Sequence, residues 1–177
     1  FQASGSGAVI ENDGKTQIVT AGHVCDSSDM VFPASPFPEF EIMAYDWLGN
    51  GYKAEIKSID MKNDLCLVEI ENVEFPGELN IAKRSPRMKE QLFLAAAPLG
   101  IFVKGMPLFF DGYYSGEDSN GNVLSTVPVA PGSSGGAIVN KRGEIVSIVT
   151  AGFVGFDNVS ISTSASVLRQ FLDAAEE

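Results

Sequence analysis

Short apolar stretches rich in Val, Ile and Phe recur along the chain, separated by breaks that carry Gly, Pro, Asn and Asp. Runs of this length bounded by turn residues predict β-strands. Ala8-Val9-Ile10 and Gln17-Ile18-Val19-Thr20 flank Asn12-Asp13-Gly14, a hairpin signal, and Phe40 to Tyr45 and Tyr52 to Ile59 flank Asn50-Gly51, a second one. Leu65 to Ile70 reads as a buried strand. Residues 71–90 are polar and charged, with Pro76, Gly77 and Pro86, and read as a crossover. Strands then resume at Leu92 to Ala96, Val103 to Tyr114, Val123 to Val127, Ala137 to Asn140, Glu144 to Thr150 and Val159 to Ser162, with Gly121 and Gly143 in turns. Pro33 to Pro38 is a stiff loop, since three prolines in six residues cannot donate to a ladder.

One segment carries the helical period. From Ser164 onward, Val167, Leu168, Phe171, Leu172 and Ala175 fall on one face, and Ser162 or Ser164 can cap the start. Strands almost throughout plus a terminal helix predict an all-β fold, sandwich or barrel. Two strand-rich halves favour two barrels, residues 1–80 and 81–177, the second ending in a helix from about 164. No internal sequence repeat relates the halves.

Composition narrows the function. A hydrophobic share of 45% with 20% charged residues supplies a packed core and excludes disorder as the main state. A net charge of −11 disfavours nucleic acid and anionic membrane surfaces. No apolar run reaches the roughly 18 residues that would cross a bilayer, so no membrane insertion is expected. One histidine, His23, and two cysteines cannot close an ordinary structural zinc site, and no metal or cofactor is expected. The start Phe1-Gln2-Ala3-Ser4 lacks an initiator Met and reads as a processed end or a piece of a longer chain. Two cysteines leave the compartment open: secreted, periplasmic and virus-encoded origins all fit.

Three features carry chemistry. His23 follows Thr20-Ala21-Gly22 at the end of an apolar strand, where a structural and a catalytic role are both open. Asp64 opens the strand Leu65 to Ile70, so its carboxylate sits at the edge of the core and needs a partner, whereas Asp60 nearby reads as a turn former. Pro131-Gly132-Ser133-Ser134-Gly135-Gly136-Ala137 permits a tight turn that presents a hydroxyl and backbone N–H groups together. A flexible Gly-Ser linker is the alternative there, disfavoured by the strand Ala137-Ile138-Val139 that follows at once.

Taken together, Thr20-Ala21-Gly22-His23, Asp64-Leu65-Cys66-Leu67 and Gly132-Ser133-Ser134-Gly135-Gly136 resemble the histidine, aspartate and nucleophile motifs of trypsin/chymotrypsin-like serine proteases, in that family's order. The resemblance runs over nearly the whole chain from Gly5-Ser6-Gly7-Ala8-Val9-Ile10. It is nearest to compact HtrA-type or viral members without a PDZ domain, with Asp60-Met61-Lys62-Asn63-Asp64-Leu65 and Ala97-Pro98-Leu99-Gly100 similar to HtrA segments. It implies two antiparallel six-stranded β-barrels, the first carrying His23 and Asp64, the second Ser134. It implies a serine endopeptidase acting on peptide or protein substrates through an acyl-enzyme: Ser134 as nucleophile, His23 as base, Asp64 as its orienting carboxylate. Gly132 and Ser134 N–H would form the oxyanion hole. Pro128, Val129, Thr150, Ala151, Gly152 and Asn158 would line the substrate site, with the Thr150 hydroxyl donating to Asp64. A viral polyprotein-processing protease and a catalytically silent binding module remain alternatives. Ser133 stands where digestive members carry Asp, so the Phe1 amine is expected to stay outside and the site to be ordered locally. Cys25 and Cys66 lie two residues beyond His23 and Asp64, and are expected as buried free thiols, with a disulfide as the alternative.

Overall fold

A computed structural model describes residues 4–26, 41–153 and 155–175. Strands β1 (Ala8–Asn12) and β2 (Lys15–Thr20) form the first hairpin, and the short helix α1 (Gly22–Cys25) follows directly. Strands β3 (Ile42–Tyr45), β4 (Gly51–Asp60) and β5 (Leu65–Glu69) complete a five-stranded antiparallel sheet in the order β1-β2-β5-β4-β3. The second half comprises β6 (Gln91–Ala96), β7 (Leu108–Glu117), β8 (Asn122–Ser125), β9 (Ala137–Val139), β10 (Ile145–Phe153) and β11 (Phe156–Ser164). These close into a barrel, order β10-β11-β8-β7-β6-β9, with β9 pairing back onto β10. Helix α2 (Ala165–Ala175) follows β11. The proline-rich loop, Phe40 and the Phe1 amine lie outside the described residues.

Local chemistry explains the turns. Asp13 and Gly14, with φ of 50° and 70°, give the first hairpin the left-handed pair that matches strand twist. The second hairpin turns earlier than Asn50-Gly51 predicts. Asp46 draws the chain round by accepting the N–H groups of Leu48 and Asn50, both at 2.9 Å, and Gly49 supplies the positive φ, so Gly51 already belongs to β4. Asp118 repeats the device between β7 and β8, accepting from the N–H groups of Asn120 and Asn122. Val103 to Pro107 is not strand as predicted: Val103 closes a local turn by pairing with Met106, and β7 starts at Leu108.

The halves share a core. Ile10, Val19, Leu65 and Leu67 from the sheet pack with Ile145 and Ile148 from the barrel and with Leu168, Phe171 and Leu172 of α2. Each fully buried aliphatic side chain contributes about 1.5–3 kcal/mol relative to exposure. β5 turns Leu65 and Leu67 to this cluster and Cys66 and Val68 to the opposite face, which accounts for its unbroken apolar run. A separate cluster around Leu92, Leu94, Val123, Ile138 and Val146 fills the barrel. Residues 79–82 are held from both sides: Leu79 N–H bonds to Val9 O, while Asn80 O and Ala82 N–H bond to Ile145. Ser164 caps α2 by accepting the Val167 N–H at 3.4 Å; Ala175, placed on the apolar face by its spacing, is exposed.

Cys25 and Cys66 are joined in a disulfide, 6.4 Å apart between Cα atoms, which corrects the expectation of free thiols. Both lie in the small cluster with Ala54, Val68 and Ile70 beyond the sheet. Burial in an apolar run suits a free thiol equally well, but the pairing of Thr20 with Cys66 brings the end of β2, and hence α1, alongside β5.

Candidate active site

His23 stands on α1, immediately after β2, and Asp64 immediately before β5. The Asp64 carboxylate meets His23 twice: Oδ1 accepts the backbone N–H at 2.8 Å, and both oxygens lie 2.9 Å from Nδ1. With a proton on Nδ1 the ring donates to the carboxylate, and Nε2 keeps its lone pair. The hydrogen bond to Asp64 raises the His23 pKa above the ordinary 6.5; partial burial opposes this and the carboxylate charge reinforces it. Close approach depends on Gly22, where a Cβ would come within 3.2 Å of Asp64 Cα and 3.1 Å of Leu65 N. Asp64 itself takes φ of 54°, unusual for a residue with a side chain. Around it, Asp60 accepts the N–H groups of Lys62 and Asn63, as its reading as a turn former anticipated, and Thr163 Oγ1 on β11 donates to Asn63 O at 2.7 Å.

Residues 130–136 form a turn whose backbone accounting is uneven. Every carbonyl from Pro131 to Ser134 accepts a hydrogen bond: Pro131 O from Leu99 N–H, Gly132 O from Ser6 Oγ, Ser133 O from Gly136 N–H and Ser134 O from Ser6 N–H. Ser133 N–H goes to Ala130 O and Gly135 N–H to Val149 O. Among the described residues, the N–H groups of Gly132 and Ser134 have no acceptor. Gly132 holds φ of 95°, and a Cβ there would lie 2.6 Å from Ala97 O, so the position admits only glycine. The turn abuts the root of α1: a Cβ on Gly135 would collide with Thr20 Oγ1 and with Ser6 O. Ser134 Oγ makes no hydrogen bond among the described residues. Buried Ser133 accepts the Ala130 N–H on its hydroxyl at 3.2 Å and so closes the loop locally.

A profile of the trypsin-like peptidase domain matches residues 5–148. The chain belongs to the trypsin-like peptidase family. Among curated relatives, it is 30% identical over 158 residues to a probable periplasmic serine protease do/HhoA-like of Haemophilus influenzae, covering 85% of this chain and 31% of that protein. It is 26% identical to the periplasmic serine endoprotease DegP of Escherichia coli, covering 85% of this chain and 30% of that one. With the serine protease HTRA4 of Mus musculus it shares 28% identity, over 99% of this chain and 35% of the relative. The chain thus spans about a third of the length of these relatives. The fold resembles a serine endoprotease from Yersinia pestis at a TM-score of 0.79 and 20% identity, covering 97% of this chain and 57% of that one.

Within this peptidase domain the remaining predicted residues divide. Thr150 departs from expectation: its hydroxyl donates to Ile161 O at 3.0 Å, not to Asp64. Thr150 is the extra residue of a bulge between the pairs Val149–Ser162 and Ala151–Ile161, and its hydroxyl is taken up across β11. Asp64 finds its further donor in the His23 backbone. Val129 and Gly152 do come together, for a Cβ on Gly152 would lie 3.2 Å from Val129 Cγ2. Ala151, Gly152 and Asn158 are exposed, Pro128 half-buried, and none of these residues is charged. Among the described residues no cluster of three His, Cys, Asp or Glu is arranged to hold a metal. Ser6, whose main chain and hydroxyl both engage the turn that holds Ser134, was not singled out from the sequence; its place inside Gly5-Ser6-Gly7, just before the first strand, was the available signal.

Proposed function

We propose that this domain is a serine endopeptidase that hydrolyses peptide bonds through an acyl-enzyme, with Ser134, His23 and Asp64 as its triad. The observation that carries the reading is the double contact of Asp64 with His23, beside a turn that holds Ser134 and two N–H groups without acceptors among the described residues. Ser134 Oγ attacks the scissile carbonyl and gives its proton to His23 Nε2. The carbonyl oxygen becomes an oxyanion received by Gly132 N–H and Ser134 N–H, and Asp64 steadies the imidazolium. Collapse of the tetrahedral intermediate transfers that proton to the leaving amine. Water, activated by the same imidazole, then hydrolyses the ester and restores Ser134. The substrate is a peptide or protein lying along Thr150-Ala151-Gly152, beside the uncharged residues Val129 and Gly152, which nearly touch. The Cys25–Cys66 disulfide supports a working place outside the reducing cytosol, and titration of free thiols in protein isolated without reductant tests it.

A fluorophosphonate probe decides between an active peptidase and a silent protease-fold module. Wild type should label at Ser134 and hydrolyse casein. Ser134→Ala should do neither while melting as wild type does. Absence of labelling in the wild-type domain would overturn the proposal.

A further inference from the structure

Ser6 joins three elements at the nucleophile turn. Its Oγ donates to Gly132 O at 2.8 Å and accepts the Ala97 N–H at 3.1 Å. Its backbone N–H donates to Ser134 O at 2.7 Å, and its carbonyl accepts Thr20 Oγ1 at 2.7 Å. One hydroxyl has one proton to give and lone pairs to receive, so this side chain acts as donor and acceptor at once. We propose that Ser6 is a positioning residue for the oxyanion hole, acting through the Gly132 carbonyl; the inference rests on the reading that Gly132 and Ser134 N–H form that hole.

The argument follows the peptide planes. The two N–H groups without acceptors among the described residues belong to the peptides Pro131–Gly132 and Ser133–Ser134, and the peptide Gly132–Ser133 lies between them. A planar peptide that turns its carbonyl one way turns its N–H the other. Both free N–H groups can face one point only while the intervening carbonyl points away from it, and Ser6 Oγ holds that carbonyl. Gly132, at φ of 95°, resists rotation of this peptide less than any other residue type would. The acceptor half of the same hydroxyl fixes Ala97, two residues before the Leu99 N–H that holds Pro131 O. Ser6 thus ties down the central peptide directly and its neighbour through residues 97–99. Without the hydroxyl, the Gly132 carbonyl and the Ala97 N–H both lose their partner.

The test is Ser6→Ala, which deletes one oxygen from a half-buried site and leaves the backbone bonds in place. Three quantities would be measured: hydrolysis of a peptide p-nitroanilide ending in Val, inhibition by the matching peptide boronic acid, and competition by the matching peptide acid. The boronate places an oxygen where the oxyanion forms; the acid mimics product. We expect kcat to fall about 10–100-fold, as for a reacting group displaced by a fraction of an ångström, with KM within about threefold. Boronate affinity should weaken by the same factor as kcat/KM and the acid's affinity should hold. A kcat within twofold of wild type, or equal weakening of boronate and acid, would overturn the proposal. Ser134→Ala is assayed in parallel. If it retains activity, the reading of the site fails; if it is inactive while Ser6→Ala is unimpaired, the positioning role alone fails.

Discussion

Asp64 holds His23 at its backbone and at its ring with one carboxylate, Oδ1 serving the N–H at 2.8 Å and Nδ1 at 2.9 Å. Main chain and imidazole are therefore fixed together, and a shift of α1 is felt at once by the ring. The carboxylate draws its donors from α1, without the strand-borne hydroxyl that the family resemblance implies. Most of the consequences that can be tested at the site start here.

The first concerns pH. His23 titrates above the ordinary 6.5 because Asp64 favours the imidazolium, and only the neutral ring can act as base. The acidic limb of kcat/KM should lie above 6.5. Asp64→Asn should move it down and lower kcat by about 10⁴. The raised pKa contributes stability that is fully present below the unfolded value of about 6.5 and fades as pH rises through the folded pKa. A limb unmoved by Asp64→Asn would separate the carboxylate from the ring's titration.

Gly22→Ala tests close approach. The new Cβ would press within 3.2 Å of Asp64 Cα, forcing a few tenths of an ångström of adjustment. We expect about 1 kcal/mol less stability and roughly tenfold lower kcat with little change in KM, read by denaturant melts and steady-state kinetics.

Thr150→Val removes the hydroxyl that serves Ile161 O. The expected loss is about 1 kcal/mol of stability, with kcat within about twofold, since Asp64 does not depend on Thr150. A large fall in turnover at unchanged Tm would restore a link between the two.

Reducing the disulfide releases a loop with a sequence separation of 41 residues. The chain-entropy relation gives roughly 4 kcal/mol for a loop of that size. Cys25→Ala with Cys66→Ala should lower the urea midpoint accordingly and loosen the tie between α1 and β5. A midpoint equal to wild type would show that the apolar cluster around Ala54 and Val68 suffices.

Specificity follows from Val129 and Gly152. These uncharged residues, which approach closely, should favour small or medium apolar side chains before the scissile bond, and cleavage after Lys or Arg should be minor. Even a Cβ at Gly152 would press on Val129 Cγ2 at 3.2 Å, so Gly152→Val should crowd this spot and depress kcat/KM for substrates ending in Val by tenfold or more, with Ala-ending substrates affected less. Peptide-library profiling reads both.

The sequence carried the parts whose signals are local. His23, Asp64 and the Gly132–Gly136 turn each sit in a short run whose residue types constrain the backbone, and the terminal helix shows its period. The parts it did not carry depend on register. The bulge that sends the Thr150 hydroxyl to Ile161 is one extra residue in β10, which leaves no mark in composition. Pairing of Cys25 with Cys66 required knowing that the end of β2 lies beside the start of β5. In the second hairpin, Asn50-Gly51 looked like the turn, but Asp46 captured the N–H groups first. Ser6 was illegible because its partners, Ala97 and Gly132, are remote in the chain and meet it only in the fold.

The apolar cluster shared by Ile10, Leu65, Ile148 and Leu168 sets a limit on modularity. A chain cut within residues 71–90 would give two fragments, each exposing an oily face made to be covered by the other. Neither half would be expected to persist alone in water. Mixed together they should reassemble, the interface acting as the glue of a split peptidase. Joining could then be used as the trigger for activity, with His23 and Asp64 supplied by one fragment and Ser134 by the other.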